Sequence, residues 1–415
     1  MDELTKIKQA VFQKRPALKE IHDKFGHLNL KNYVKDVWEI PNQKPDKEFV
    51  NTVSQFLNTL YGSNIASQAE GQLLAKPLVS TIDHLGIWGH PIFLNADLIY
   101  SLHFKSSEYA ICLATESVSL NNVTSWSGSV LKHGYDGNLH RYSFFPDRLK
   151  TLPVFTTPAI TENNLARFSK SYGQGAENAL EALRIDTSKN DFTYQACLGS
   201  FNLWQKVFPS APKLIYLPLE SIVLDYLKNI LKDEENVISK IILSSKGKKL
   251  WQKYLSNEHT FMFWGIDEKG RRVSLKSLAG DSDELIKIIE SRKIYPSSPL
   301  CFMVLLYAGF ACVGGFTQTT WLTGVKKKFV NLLEDFKISQ SVISNITNVP
   351  TKNFAESGLA SIKIGNNEIQ PTALDLFLTG KDYYPEFVKK AQNITLGESL
   401  DAVMPVIYDV VEKAK

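Results

Sequence analysis

Apolar residues recur at helical spacing from Asp46 to Tyr61, where Phe49, Val50, Val53, Phe56, Leu57 and Leu60 form one stripe. Asp46 is placed to cap that helix and Gly62 to stop it. The residues before it also read as helices. Two short, largely apolar runs, Tyr109–Ala114 (YAICLA) and Lys213–Leu217 (KLIYL), have the pattern of strands buried on both faces. Before the first lies a helix predicted over Pro91–Phe104, with Pro91 in its first turn, and between the two a hairpin running from near Val130 through Gly134–Asn138 to His140–Phe145. Thr161–Phe208 is helical in two blocks that part near Asp186–Asp191, and helical patterns continue after Leu217 to about Leu255. His259–Ile266 is strongly β-prone and turns at Asp267–Gly270 into Arg271–Leu275. Helices are predicted over Asp283–Arg292, around 299–312 and over Leu322–Phe336, then a hairpin about Gly365-Asn366-Asn367 and closing helices.

Short strands alternating with helices predict an α/β fold: a mainly parallel sheet flanked by helices, a Rossmann-like core, with added antiparallel hairpins and a helical C-terminal half. The prolines near 150–160 suggest three segments: a helical 1–62, an α/β 63–155 carrying the candidate loops, and a remainder 156–415 packed on the same core. Leu300–Phe316 is apolar throughout and approaches the length of a membrane span. Gly309, Gly314 and Gly315 interrupt it and no second span accompanies it, so a central buried helix is expected.

Composition narrows the class. Of 415 residues, 44% are hydrophobic and 22% charged, which excludes disordered and rod-like chains. A net charge of +4, carried mostly by Lys, argues against a polyanionic partner and against Arg-based reading of nucleic acid. The four cysteines, Cys112, Cys197, Cys301 and Cys312, are scattered, and the charged start lacks the apolar core of a secretory signal. The expectation is a cytoplasmic protein with reduced thiols, no membrane partner and a small-molecule substrate.

Three segments carry candidate chemistry. Ser80–Asn95 (STIDHLGIWGHPIFLN) gathers Asp83, His84, His90 and Asn95 around Gly86, Gly89 and Pro91. His90 would stand at a helix N-terminus, which lowers an imidazole pKa and keeps the ring neutral. Asp83, His84 and His90 also supply metal-ligand types, though their spacing fits no standard zinc motif. The loop Thr115–Ser127 follows a strand end, where ligands of open α/β sheets bind. Glu116 is its ionisable group, and Asn121 and Asn122 could orient a substrate, with Thr124 also in the loop. Gly314-Gly315 followed by Gln318 and Thr319 could form a backbone nest for an anion. No cofactor is named by these patterns: a nucleotide suits the fold class better than a metal suits the ligand spacing.

Two of these runs resemble the bacillithiol-forming cysteine ligases, which carry a Gly-Pro-Leu element entering a helix and, soon after, a strand ending in Leu-Ala-x-Glu. Here His84-Leu85-Gly86-Ile87-Trp88-Gly89-His90-Pro91-Ile92 enters a helix and Leu113-Ala114-Thr115-Glu116 ends a strand. The family's paired glutamines are absent, with His84 near their place, and Ser117, Val118 and Ser119 replace the acidic and His residues after its Glu. No long coiled-coil insertion is evident. The resemblance implies a Rossmann-like core and small-molecule condensation chemistry.

Together these patterns lead to an expected ligase or transferase condensing an amine or thiol with an activated acyl group. His84 or His90 would be its general base and Glu116 an acid/base or amine anchor. Asp83, Asn95, Asn121 and Asn122 would contact substrate, and Gly314, Gly315, Gln318 and Thr319 would hold an anionic group. A metal-dependent hydrolase or lyase using Asp83, His84 and His90, and a non-catalytic binding or scaffold protein, are the alternatives.

Overall fold

The computed structural model describes residues 2–87, 89–122, 125–256, 261–275 and 281–413. Trp88, Thr124 and His259 lie outside them. The centre is a sheet of five parallel strands: β1 (Leu78–Ser80), β2 (Tyr109–Ala114), β3 (Lys213–Pro218), β4 (Ala311–Gly314) and β5 (Asn353–Phe354). Their spatial order is β3-β2-β1-β4-β5. That is the order of a doubly wound, Rossmann-like sheet, whose direction of winding reverses between β1 and β4.

Side chains alternate between the two faces, as the pleat requires. Leu78, Ala110, Cys112, Leu214, Tyr216 and Val313 join one core, against α1 (Pro91–Ser101) and α2 (Phe192–Val207). Val79, Ile111, Leu113, Ile215, Leu217 and Cys312 join the other, against α3 (Leu219–Ile230), α4 (Ser298–Tyr307) and α5 (Phe316–Phe336). A strand sandwiched in this way has no polar side to show, which is why its sequence reads as an unbroken apolar run.

The predicted helix at Asp46 is observed as Lys47–Tyr61, with the Asp46 carboxylate accepting from the Phe49 N–H at 2.9 Å. The hairpins appear at Ser129–His133 with Leu139–Ser143, Phe263–Ile266 with Arg272–Ser274, and Ile362–Ile364 with Asn367–Ile369. A third strand, Ile294–Pro296, joins the second of these.

One expectation is corrected. The apolar run Leu300–Phe316 is not a single buried helix. α4 stops at Tyr307, Gly309 turns the chain at φ +79°, and residues 311–314 form the inner strand β4. Both elements are buried, so hydropathy alone could not separate them. In consequence Gly314-Gly315 follows a strand rather than a helix, and the helix predicted from Leu322 begins at Phe316. No helix among the described residues is long and apolar enough to cross a membrane.

Candidate functional site

The three segments singled out in the sequence all leave the carboxyl ends of neighbouring strands: residues 81–90 after β1, 115–122 after β2 and 314–319 after β4. The first two stay joined beyond the sheet. His84 bridges Thr115, the Leu85 N–H donates to the Thr115 carbonyl at 2.8 Å, and the Thr115 N–H donates to the Asp83 carbonyl at 2.9 Å. Further out, the Ile87 N–H donates to the Ser127 carbonyl at 3.1 Å. A Cβ at Gly86 would lie 2.4 Å from the Ser127 Cα, so this approach of two backbones requires glycine. The β4 turn is tied in by Gln318, whose amide donates to the Thr81 hydroxyl at 2.5 Å.

His90 caps α1: its Nδ1 accepts from the Ile92 N–H at 3.3 Å. That contact assigns the ring proton of the neutral imidazole to Nε2, making His90 a hydrogen-bond donor toward a ligand. The His84 and His90 rings both pack on Phe93, with centroids 5.6 and 5.8 Å away, and His90 also meets Trp126 at 6.3 Å. Burial lowers both pKa values to about 4, and for His90 the neighbouring His84 and His133 add to the effect. Both imidazoles are therefore neutral at physiological pH.

Asp83 turns into the core on the α1 face. It accepts from the Cys112 thiol at 3.2 Å, while Tyr216 donates its hydroxyl to Asp97 of α1 close by. Burial, and then the Asp97 charge, raise the Asp83 pKa well above the usual carboxylate range. Because Asp83 faces Cys112 and Asp97, it does not join the two imidazoles. Among the described residues no three His, Cys, Asp or Glu side chains gather as metal ligands, so the alternative Asp83–His84–His90 ligand set is not formed.

Glu116 also departs from the histidines. Its carboxylate accepts from the Ser221 N–H at 2.6 Å, in the first turn of α3, and from the Thr193 hydroxyl at 3.2 Å. Glu220 accepts from the Glu116 and Ser117 N–H groups at 2.8 and 3.3 Å. Burial, reinforced by the neighbouring Glu220 charge, raises the Glu116 pKa. Arg292, held in the left-handed region at φ 51°, donates to the Ser221 hydroxyl at 3.0 Å and lends compensating positive charge.

Asn95 is fully buried in α1, donates to the Pro91 carbonyl at 2.9 Å, and accepts from the Leu359 and Ala360 N–H groups at 2.7 and 2.6 Å. Its side chain therefore latches the segment after β5 onto α1. Asn121 and Asn122 occupy the turn after β2, where the Asn121 N–H donates to the Lys150 carbonyl and the Asn122 carbonyl accepts from the Trp126 N–H. Thr319 is buried one turn into α5 and donates to the Phe316 carbonyl at 3.5 Å.

The expected anion nest at Gly314-Gly315 is already filled by a carboxyl group of this chain. Glu356, just beyond β5, accepts from the Phe316 N–H at 2.9 Å, and a Cβ on Gly315 would lie 2.2 Å from its Oε2. Burial raises the Glu356 pKa to about 7. Reasoning from sequence missed Glu356, Asp97 and Arg292. Asp97 had a signal, an acid within the mostly apolar stretch IFLNADLIY, whereas Glu356 lies in an irregular segment after β5 and Arg292 in the turn that ends the helix Ser282–Glu290, where nothing in the sequence distinguishes it from a surface charge.

No family model matches the chain, and neither curated proteins nor solved structures give a significant match.

Proposed function

We propose that the chain is a small-molecule enzyme of the ligase or transferase kind, joining an amine or thiol to an activated acyl group in the cytoplasm. The observation that carries this reading is the pair of neutral imidazoles, His84 and His90, in the segment that leaves the carboxyl end of β1, the strand beside which the winding reverses. In this reading His90 Nε2–H hydrogen-bonds the acyl oxygen as negative charge develops on it. The acceptor nitrogen or sulfur bonds to the acyl carbon, the leaving group departs with the electrons of its bond, and His84 takes the acceptor proton. Glu116 and Asn95 act by holding the surrounding elements rather than by touching substrate. The resemblance of residues 84–92 and 113–116 to the bacillithiol-forming cysteine ligases points toward the same chemistry.

The test is an acyl-transfer assay of the purified protein with acyl phosphates and thioesters as donors, and cysteine and simple amines as acceptors. His84→Ala and His90→Ala are each expected to lower kcat by about 10²–10⁴-fold while leaving the fold intact. Turnover unchanged in both variants, or no transfer with any donor, would overturn the reading.

A further inference from the structure

The hairpin Ser129–His133/Leu139–Ser143 and the hairpin Ile362–Ile364/Asn367–Ile369 approach each other at their turns, where a Cβ on Gly137 would lie 3.1–3.2 Å from the Asn367 side chain. Beside them is a cleft of about 420 Å³, within the range that holds one small metabolite. The short helix Ala373–Leu378 and the residue after it line the cleft with Asp375, Leu378 and Thr379, the i, i+3 and i+4 positions of one face. Leu378, 39% exposed, and Tyr383 give it an apolar and aromatic wall.

One pair of side chains here has the make-up of a nucleophile and its base. Ser361 lines the cleft, and its hydroxyl oxygen accepts a hydrogen bond from Lys390 Nζ at 3.1 Å. Lys390 comes from the helix Tyr384–Ala391, seven positions after Tyr383 and three after Phe387. Tyr383 and Phe387 stack with centroids 5.8 Å apart, so the three residues follow one helical stripe, the one that begins at the cleft wall. A lysine on an open surface keeps its ammonium group in water. Lys390 is half-buried instead, forms no ion pair among the described residues, and spends a donor on the serine. Burial lowers its pKa, against a smaller opposing pull from the Glu368 charge. The backbone leading into Ser361 is clamped: the Gly358 N–H donates to the Ser399 carbonyl at 2.9 Å, and the Leu359 and Ala360 N–H groups donate to Asn95. A hydroxyl on fixed backbone, bonded to a lysine that sheds its proton more readily than usual, is the arrangement of a serine–lysine dyad.

We propose that Ser361 is a nucleophile activated by Lys390, in a cleft that takes a small carboxylic ester with its acyl chain on Leu378 and Tyr383. As Ser361 Oγ bonds to the acyl carbon, its proton passes to the neutral Lys390 Nζ. The bond from the acyl carbon to the alcohol oxygen breaks, and that oxygen keeps the electron pair and takes the proton from Lys390. Water then attacks the acyl-serine, passing a proton to Lys390. The carboxylic acid leaves as Ser361 Oγ recovers its proton from the same lysine. The proposal goes beyond the acyl-transfer reading and does not depend on it, since neither His84 nor His90 takes part.

The test is to treat the intact protein with a fluorophosphonate, which phosphonylates activated serines with loss of fluoride, and to locate the label by peptide mass spectrometry. Wild type, Ser361→Ala, Lys390→Arg and Lys390→Met are compared, with hydrolysis of p-nitrophenyl butyrate as a second readout and circular dichroism as the check on folding. The wild type should be labelled at Ser361, faster as rising pH takes the proton from Lys390. Lys390→Arg keeps the charge and a donor for Ser361 but cannot act as a base, so a merely structural lysine would be rescued by it. Labelling and ester hydrolysis should instead fall by about 100-fold or more in both Lys390 variants. No label at Ser361 in the wild type would overturn the proposal, and so would labelling at the wild-type rate in either Lys390 variant.

Discussion

At the scale of the residue, one backbone contact decides what His90 can do. The Ile92 N–H occupies Nδ1, so the ring has a proton to offer and no free lone pair to receive one. The sequence left His84 and His90 interchangeable as the base; the cap separates them. On the proposed acyl-transfer reading, with both imidazoles shifted to about 4, the rate should be flat above about pH 5 and fall only as the pH drops through 4, where the imidazoles become protonated and His84 no longer accepts a proton. A profile with its acid limb near the ordinary histidine value of about 6.5 would contradict this. Asn95 carried no signal that distinguished a substrate contact from a latch, because its partners, Leu359 and Ala360, lie far along the chain. Asn95→Ala is expected to cost about 2–4 kcal/mol in chemical denaturation, since it leaves two buried N–H groups without acceptors.

At the scale of the element, two of the buried acids sit against helix starts: Glu116 on α3 and Glu356 on α5, each at a strand-to-helix junction. Helix N-termini favour negative charge, and burial opposes it. For Glu356 burial prevails, since its pKa stands at about 7 in the fold against 4.5 for the free side chain. A raised folded pKa means the native state holds the proton more tightly. The associated stability is complete below about pH 4.5 and is lost as the pH rises to 7, by about 3 kcal/mol at most. Glu356→Gln keeps an acceptor for the Phe316 N–H but cannot ionise. Urea melts at pH 5 and pH 8 should therefore show the variant gaining stability relative to the wild type as the pH rises. A constant difference would mean the carboxylate is already charged in the fold. The capped helices and hairpins were legible in the sequence because each depends on neighbours a few positions apart. The division of residues 300–316 into a helix and a strand was not, since it depends on β4 finding β1 and β5 on either side.

At the scale of the whole molecule, the segments 1–62 and 156–415 are interlocked. The Leu30 N–H donates to the Ile394 carbonyl, the Leu396 N–H to the Leu28 carbonyl and the Gly397 N–H to the Gly26 carbonyl, at 3.0, 2.8 and 2.9 Å. Asn353 of the edge strand β5 exchanges two hydrogen bonds with the Glu39 backbone, at 3.1 and 2.9 Å, so the N-terminal segment also closes that edge. Its contributions are uneven. The helix Glu3–Lys14 fully buries Val11, packs Leu4, Ile7 and Phe12 partly buried on the same core, and adds two partly exposed ion pairs, Lys8–Asp401 and Lys14–Glu412. Such pairs are worth about 0–1 kcal/mol each. Residues 15–38, by contrast, place Leu18, Ile21, Leu30, Tyr33, Val34 and Trp38 in the core on the α1 face. At about 1.5–3 kcal/mol for each large apolar side chain, that burial rivals the entire stability of an ordinary domain, about 5–15 kcal/mol. Removal of residues 1–14 is therefore expected to leave one cooperative thermal transition, lowered by a few degrees. Removal of residues 1–38 should abolish that transition and expose apolar surface to a hydrophobic dye. Circular dichroism and tryptophan fluorescence, followed together through the melt, read the difference. A cooperative transition in the shorter chain would show that the residues from 39 onward form a core that stands without the helices before Trp38.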